Sequence, residues 1–169
     1  MTEIIARLTH GEQRTRDFFK FHLFKISPLR YIFYGVSLIF LIVSIVLILK
    51  MDIGSSLFFL FVALMVLVIR IAVTNIMLNG VVKKIHYDVI SYQLKFKEDG
   101  VTYIDDIKSK TFSWNDFIVI YEVENYFYFY ISKNSALILA KFVLDEEKRN
   151  KLREFIQNTN IKYKKKKFK

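Results

Sequence analysis

The chain has no cysteine, one proline, five glycines and three histidines among 169 residues. The lack of cysteine excludes a disulfide framework, a thiolate metal site and a cysteine nucleophile. The glycines are scattered, so there is no Gly-rich phosphate loop. His10, His22 and His86 show no metal-ligand spacing such as H-x-x-x-H and read as interfacial or packing residues. Ser113 lacks a nucleophile-elbow setting, and Asp105-Asp106 reads as a solvated loop pair. With no convergent set of titratable groups, the sequence points away from an enzyme and implies no metal or cofactor. Acid is also scarce: 16 Asp and Glu face 26 Lys and Arg, a formal charge of +10.

What the chain has in quantity is apolar sequence, concentrated in two runs. Tyr31 to Leu49 carries no charge at all. After Lys50-Met51-Asp52 and a Gly54-Ser55-Ser56 turn, a second run extends from Leu57 to Ile69 and resumes beyond Arg70. A hydrocarbon core of about 30 Å needs about 20 apolar residues in a helix. Only helices and closed barrels satisfy their backbone polar groups in lipid. The pattern predicts a transmembrane helical hairpin followed by one small polar domain. The segments are an N-terminal stretch 1–30, a first span 31–50, an external turn 51–56, a second span 57–78, a C-terminal domain 79–160 and a Lys-rich tail 161–169. The first run is too long for a signal-peptide core, lacks a small-residue cleavage site and is followed by a second span.

Basic residues flank the runs on one side. Arg14, Arg16, Lys20, Lys25 and Arg30 precede the first, and Lys83 and Lys84 follow the second; the loop has only Lys50 beside Asp52. The positive-inside rule then places both termini in the cytoplasm. Arg70 interrupts the second run. It reads either as an intramembrane charge with a functional partner or as a snorkelling side chain. From Ile53, 17 residues at about 1.5 Å each put it roughly 25 Å along the helix, near the inner interface. No acidic residue in either run could pair with it.

In the N-terminal stretch, Thr9-His10-Gly11-Glu12 fits a capping box for a short helix ending near Leu23 or Phe24. That helix is aromatic, with Phe18, Phe19, Phe21 and Phe24. It reads either as interfacial or as packed under the later domain. Pro28 breaks the chain before the first span. From Tyr92 the period changes to two: Leu94 and Phe96 alternate with Lys95 and Lys97. Glu98-Asp99-Gly100 predicts a turn, with Gly100 supplying a positive φ. Strands follow at Val101–Ile104, Thr111–Trp114, Phe117–Val123, Tyr126–Ile131 and Ala136–Lys141. Asp145 is an N-cap for a final helix whose Leu152, Phe155 and Ile156 form one apolar face. The predicted class is α+β: an antiparallel half-barrel closed by a C-terminal helix, the pleckstrin-homology-like (PH-like) arrangement, on a two-helix membrane hairpin.

Three groups are candidate sites. Tyr126, Tyr128 and Tyr130 share one face of a strand and read either as a partner-binding surface or as packing under the N-terminal segment or a second subunit. The tail lysines Lys162, Lys164, Lys165, Lys166 and Lys167, with Arg70, Lys83 and Lys84, are candidates for anionic lipid headgroups. A solvated tail is the alternative, and nucleic acid is a distant third. Trp114 and Asp116 read as structural, one plugging the half-barrel and the other capping a turn. Possible partners are therefore anionic lipids, another membrane or cytoplasmic protein, and a second copy of the chain.

The residues Ser113-Trp114-Asn115-Asp116-Phe117, Glu122, Phe127 to Lys133 and Ala136-Leu137-Ile138-Leu139 resemble the YcxB-like family of bacterial membrane proteins. Phe96 to Val101 is similar to the hairpin that opens that family's domain, and Leu8-Thr9 and Ser27-Pro28 to its N-terminal segment. Ala140 stands where the family usually has proline, and Asn115 and Phe117 vary its Trp-Asp-Ile element. The resemblance implies a PH-like domain on a two-helix anchor and no catalytic activity. The resulting expectation is a membrane-anchored binding or regulatory module facing the cytoplasm. The alternative is a small transport or secretion subunit whose hairpin is the functional part, with Arg70 as its support.

Overall fold

The structure is a computed structural model that describes residues 3–9, 11–84 and 91–168. The expectations for His10 and His86 lie outside the described residues. In chain order the elements are β1 (Ile4–Thr9), α1 (Glu12–Phe21), a π-helical turn (His22–Ile26), α2 (Leu29–Leu49), α3 (Ile53–Lys84), β2 (Ser91–Phe96), β3 (Gly100–Asp105), β4 (Ser109–Ser113), a 3-10 turn (Trp114–Asp116), β5 (Val119–Glu122), β6 (Tyr126–Tyr130), β7 (Ala136–Ala140), a second 3-10 turn (Lys141–Val143), α4 (Glu146–Gln157) and β8 (Tyr163–Lys165). They form two compact units, Met1–Phe18 with His86–Lys169, and Phe19–Ile85.

The second unit is the hairpin. α2 and α3 have 21 and 32 residues, about 32 and 48 Å at the helical rise. Both are long and apolar enough to cross a membrane. The turn between them is tighter than the sequence suggests: Met51 takes a left-handed φ of 63°, and Gly54, Ser55 and Ser56 already belong to α3. The Asp52 carboxylate accepts the Ser55 N–H at 3.1 Å and so caps that helix. Two buried serines join the helices. The Ser44 hydroxyl donates to the Ser56 carbonyl and the Ser56 hydroxyl to the Ser44 carbonyl, both at 2.9 Å. The Ser37 hydroxyl donates to the Ala63 carbonyl at 3.0 Å. Small residues here let the backbones approach closely.

The first unit is a two-sheet domain, and its first strand precedes the hairpin. β1 pairs antiparallel with β2 from Ile4↔Phe96 to Thr9↔Ser91. The sheets run β1-β2-β3-β4 and β7-β6-β5-β8. Ile4, Ala6 and Leu8 point into the core while Ile5, Arg7 and Thr9 point out, a strict period of two. The sequence reading therefore missed a strand. It also misassigned Thr9, which ends β1 and accepts a hydrogen bond from Arg14 on its hydroxyl (3.3 Å) instead of opening α1 as N-cap.

Aromatic residues join the sheets, with Phe96 of β2 at 5.4 Å and Trp114 at 6.4 Å from Phe129 of β6. Leu152, Phe155 and Ile156 of α4 close the same core, and Asp145 caps α4 by accepting the Lys148 N–H at 2.8 Å. The hydrogen-bonded ladder does not close into a barrel among the described residues. Gly100 has no positive φ, contrary to the sequence reading. It is required by a close approach instead: a Cβ there would stand 2.1 Å from the Phe112 carbonyl oxygen.

Candidate functional site

The best-connected polar group in the domain is Glu122, the last residue of β5. β5 is a short run in which Ile120, Tyr121 and Glu122 are all buried, and Glu122 is 6% exposed. A buried carboxylate must be paired, and three elements supply its partners. Lys141, after β7, donates at 2.7 Å. Arg153 of α4 donates at 2.8 Å to the same oxygen and at 3.4 Å to the other. The Tyr163 hydroxyl of β8 donates to that second oxygen, and Lys165 approaches it at 4.0 Å. Burial alone would raise the Glu122 carboxyl, but hydrogen bonds from Arg153, Lys141 and Tyr163, with the Lys141 charge, hold it down at about 2. Burial pushes the Tyr163 hydroxyl up, as does its bond to Glu122.

This knot fixes the C-terminal lysines. They were read from sequence as a tail, but Tyr163 to Lys165 form β8, parallel to β5 in the register Ile120↔Tyr163, Tyr121↔Lys164 and Glu122↔Lys165. The Ile120 N–H donates to the Lys162 carbonyl at 3.0 Å and the Lys166 N–H to the Glu122 carbonyl at 2.8 Å, extending the ladder at both ends. Beside it opens a cavity of about 870 Å³ lined by Glu122, Val123, Glu124, Lys141, Lys165, Lys166, Lys167 and Phe168. Lys162 is exposed and Lys164 half-buried, and neither lines the cavity.

The tyrosine stripe is not an open surface, which corrects its reading as a partner-binding face. Tyr128 and Tyr130 are 1% and 2% exposed. The Phe18 ring of α1 lies 5.4 Å from Tyr128 and 5.7 Å from Tyr130, and the Tyr126 hydroxyl donates to Asp17 at 2.9 Å. Of the two readings left open, packing under the N-terminal segment is the observed one. Phe127 and Phe129 fill the other face of β6, so this strand is buried on both sides.

Trp114 and Asp116 have the structural places expected of them. Trp114 is 4% exposed in the core and its indole N–H donates to the Lys97 carbonyl at 3.1 Å. Asp116 accepts the Ser113 N–H at 2.8 Å in a capping box around the 3-10 turn. Arg70 is half-buried on α3, its guanidinium 4.7 Å from the Tyr34 ring and 5.8 Å from that of Phe24. No salt bridge to Arg70 occurs among the described residues. Lys83 and Lys84 end α3 and are exposed.

Sequence reasoning noticed Glu122 only as part of a family pattern and gave it no role. The usable signal was a lone acid after Val119-Ile120-Tyr121 at the end of an otherwise apolar strand. Among the described residues no group of His, Asp and Glu could hold a metal ion. No curated protein and no solved structure matches the chain. Residues 96–156, which carry Trp114, Asp116, Glu122, Lys141 and Arg153, match the model of the family described as YcxB-like protein.

Proposed function

We propose that this chain is a membrane-anchored binding module: a PH-like domain held at the cytoplasmic face by an inserted helical hairpin. The observation that carries the reading is the uncovered apolar surface of the hairpin. In the most apolar stretches of α2 and α3 only 6% and 11% of residues are buried. Apolar surface on that scale does not stay in water, and about 30 Å of hydrocarbon matches the length of α2.

The strand pairing supports the orientation. β1 and β2 flank the hairpin in sequence and are hydrogen-bonded neighbours, so the chain leaves one domain for the hairpin and returns to the same domain after it. A cleaved first helix would take β1 with it. The basic residues on that side, from Arg14 to Arg30 and at Lys83 and Lys84, favour the cytoplasm. Eight strands in two four-stranded sheets with one helix packed into the core support the PH-like reading. The domain would present its lysine cavity to anionic headgroups and its remaining surface to a protein partner. Arg70, held on two aromatic rings, serves as an interfacial anchor in this account.

Single-cysteine labelling tests the reading without a cysteine-free background having to be made. Met51→Cys should react with an impermeant maleimide on intact cells, and Lys95→Cys only after permeabilisation. Reaction of Lys95→Cys on intact cells would overturn it.

A further inference from the structure

We propose that the cavity beside β8 binds a small anion carrying a phosphate monoester, either free or as a lipid headgroup. The free-anion form stands on the domain alone; the headgroup form rests on the membrane-anchored reading.

Charge is the first argument. Glu122 is neutralised from within by Lys141 and Arg153, each at 2.8 Å or closer. Lys166 and Lys167 are exposed at the rim, and Lys165 lies 4.0 Å from a carboxylate that is already paired. Among the described residues, Glu124 is the one other acid on the wall. The cavity therefore has surplus positive charge at one spot.

Geometry is the second. Lys165 and Lys166 are not part of a loose run, because the parallel ladder and the Lys166 N–H bond to the Glu122 carbonyl fix their backbone. Part of the ordering cost, that of bringing the backbone of Lys165 and Lys166 to the cavity wall, has thus been met by folding. A volume of about 870 Å³ suits a small ligand.

The donor type is the third. Lysine ammoniums are compact point charges that suit a tetrahedral oxyanion approached from several directions. The guanidinium that would grip a planar carboxylate, Arg153, is engaged by Glu122, Glu146 and Asn150. Phe168 adds an apolar wall on which a glycerol or acyl portion could lie.

The test uses the purified full chain in phosphatidylcholine nanodiscs, titrated calorimetrically with glycerol 3-phosphate. Saturable one-to-one binding is expected. Lys166→Gln with Lys167→Gln should weaken it about tenfold, the two lost charges being discounted for their exposure. The charge-matched pair Lys162→Gln with Lys164→Gln lies outside the cavity and should weaken it less than about twofold. Repeating the titration in discs containing phosphatidic acid separates the sources: a lower apparent affinity identifies the headgroup as a competitor for the site, and an unchanged one assigns the site to a free phosphate compound. Absence of saturable binding, or equal weakening by the two double variants, would overturn the proposal. The phosphatidylcholine arm needs only a folded domain, so its failure is distinguishable from an error in topology, which cysteine labelling reads separately.

Discussion

Glu122→Gln is the sharpest perturbation of this domain, because one carboxylate ties β5, β8, the segment after β7 and α4 together. Its carboxyl titrates at about 2, against an ordinary value of 4.5. At about 1.4 kcal/mol per pH unit, the ionised form contributes about 3 kcal/mol to the folded state. Removing one member of a buried pair costs about 3–5 kcal/mol, which agrees in scale. The glutamine keeps one acceptor but turns an amide N–H₂ toward Lys141 or Arg153, which have no use for a donor. For a domain of about 100 residues, such a loss lowers the unfolding midpoint by roughly 10–20 °C. The folded-state pKa is depressed, so the wild-type contribution is fully present above about pH 4.5 and is lost as pH falls toward 2. The variant should lack that part of the acid sensitivity. Trp114, the single tryptophan and 4% exposed, reports unfolding of the full chain in nanodiscs by fluorescence. Adding Lys141→Met should recover part of the loss, since it removes a cation left without its partner. A variant within about 2 °C of wild type, or one with the same loss of stability between pH 4.5 and 2, would refute the reasoning.

Two further outcomes follow from the packing. Gly100→Ala places a methyl group 2.1 Å from the Phe112 carbonyl oxygen, so β3 and β4 must separate; a loss of about 2–3 kcal/mol by the same fluorescence assay is expected, and a neutral substitution would count against the β3–β4 register. A photo-crosslinking amino acid at Tyr128 should react within the chain, with α1 around Phe18, and digestion with mass spectrometry reads the adduct. A discrete adduct to another protein would put the tyrosine face outside after all.

Local pattern carried much of the fold. The hairpin, β2 to β7 and α4 follow from runs, alternation and an N-cap, each decided within about a dozen residues. Apart from the hairpin turn, where Gly54-Ser55-Ser56 belongs to α3, the misses are non-local. Ile4-Ile5-Ala6-Arg7-Leu8-Thr9 alternates as a strand should, yet its partner β2 lies beyond two long helices, and Thr9-x-x-Glu12 offered a competing capping box. The polybasic C-terminus reads as a tail against lipid or in solvent until Glu122 is seen to hold Tyr163. Alternation along β6 separates phenylalanines from tyrosines correctly, but nothing near Tyr128 says that Phe18 covers it. At Gly100 the residue type was informative and the inferred cause was wrong: the need is space for a neighbouring strand, not a positive φ. The candidate cavity was half legible. Its lysines stood out by composition, while Glu122, Lys141 and Arg153 are brought together only by the tertiary fold.

The central claim is that one domain, built from chain on both sides of the hairpin, sits on one face of a membrane. The most direct measurement places single cysteines at Ile5 in β1, at Lys95 opposite it in β2, and at Met51 in the turn, and labels each in intact and permeabilised cells. The account predicts that positions 5 and 95 behave alike, protected until permeabilisation, while position 51 reacts from outside. Different accessibility at positions 5 and 95, or protection at 51 alone, would contradict it.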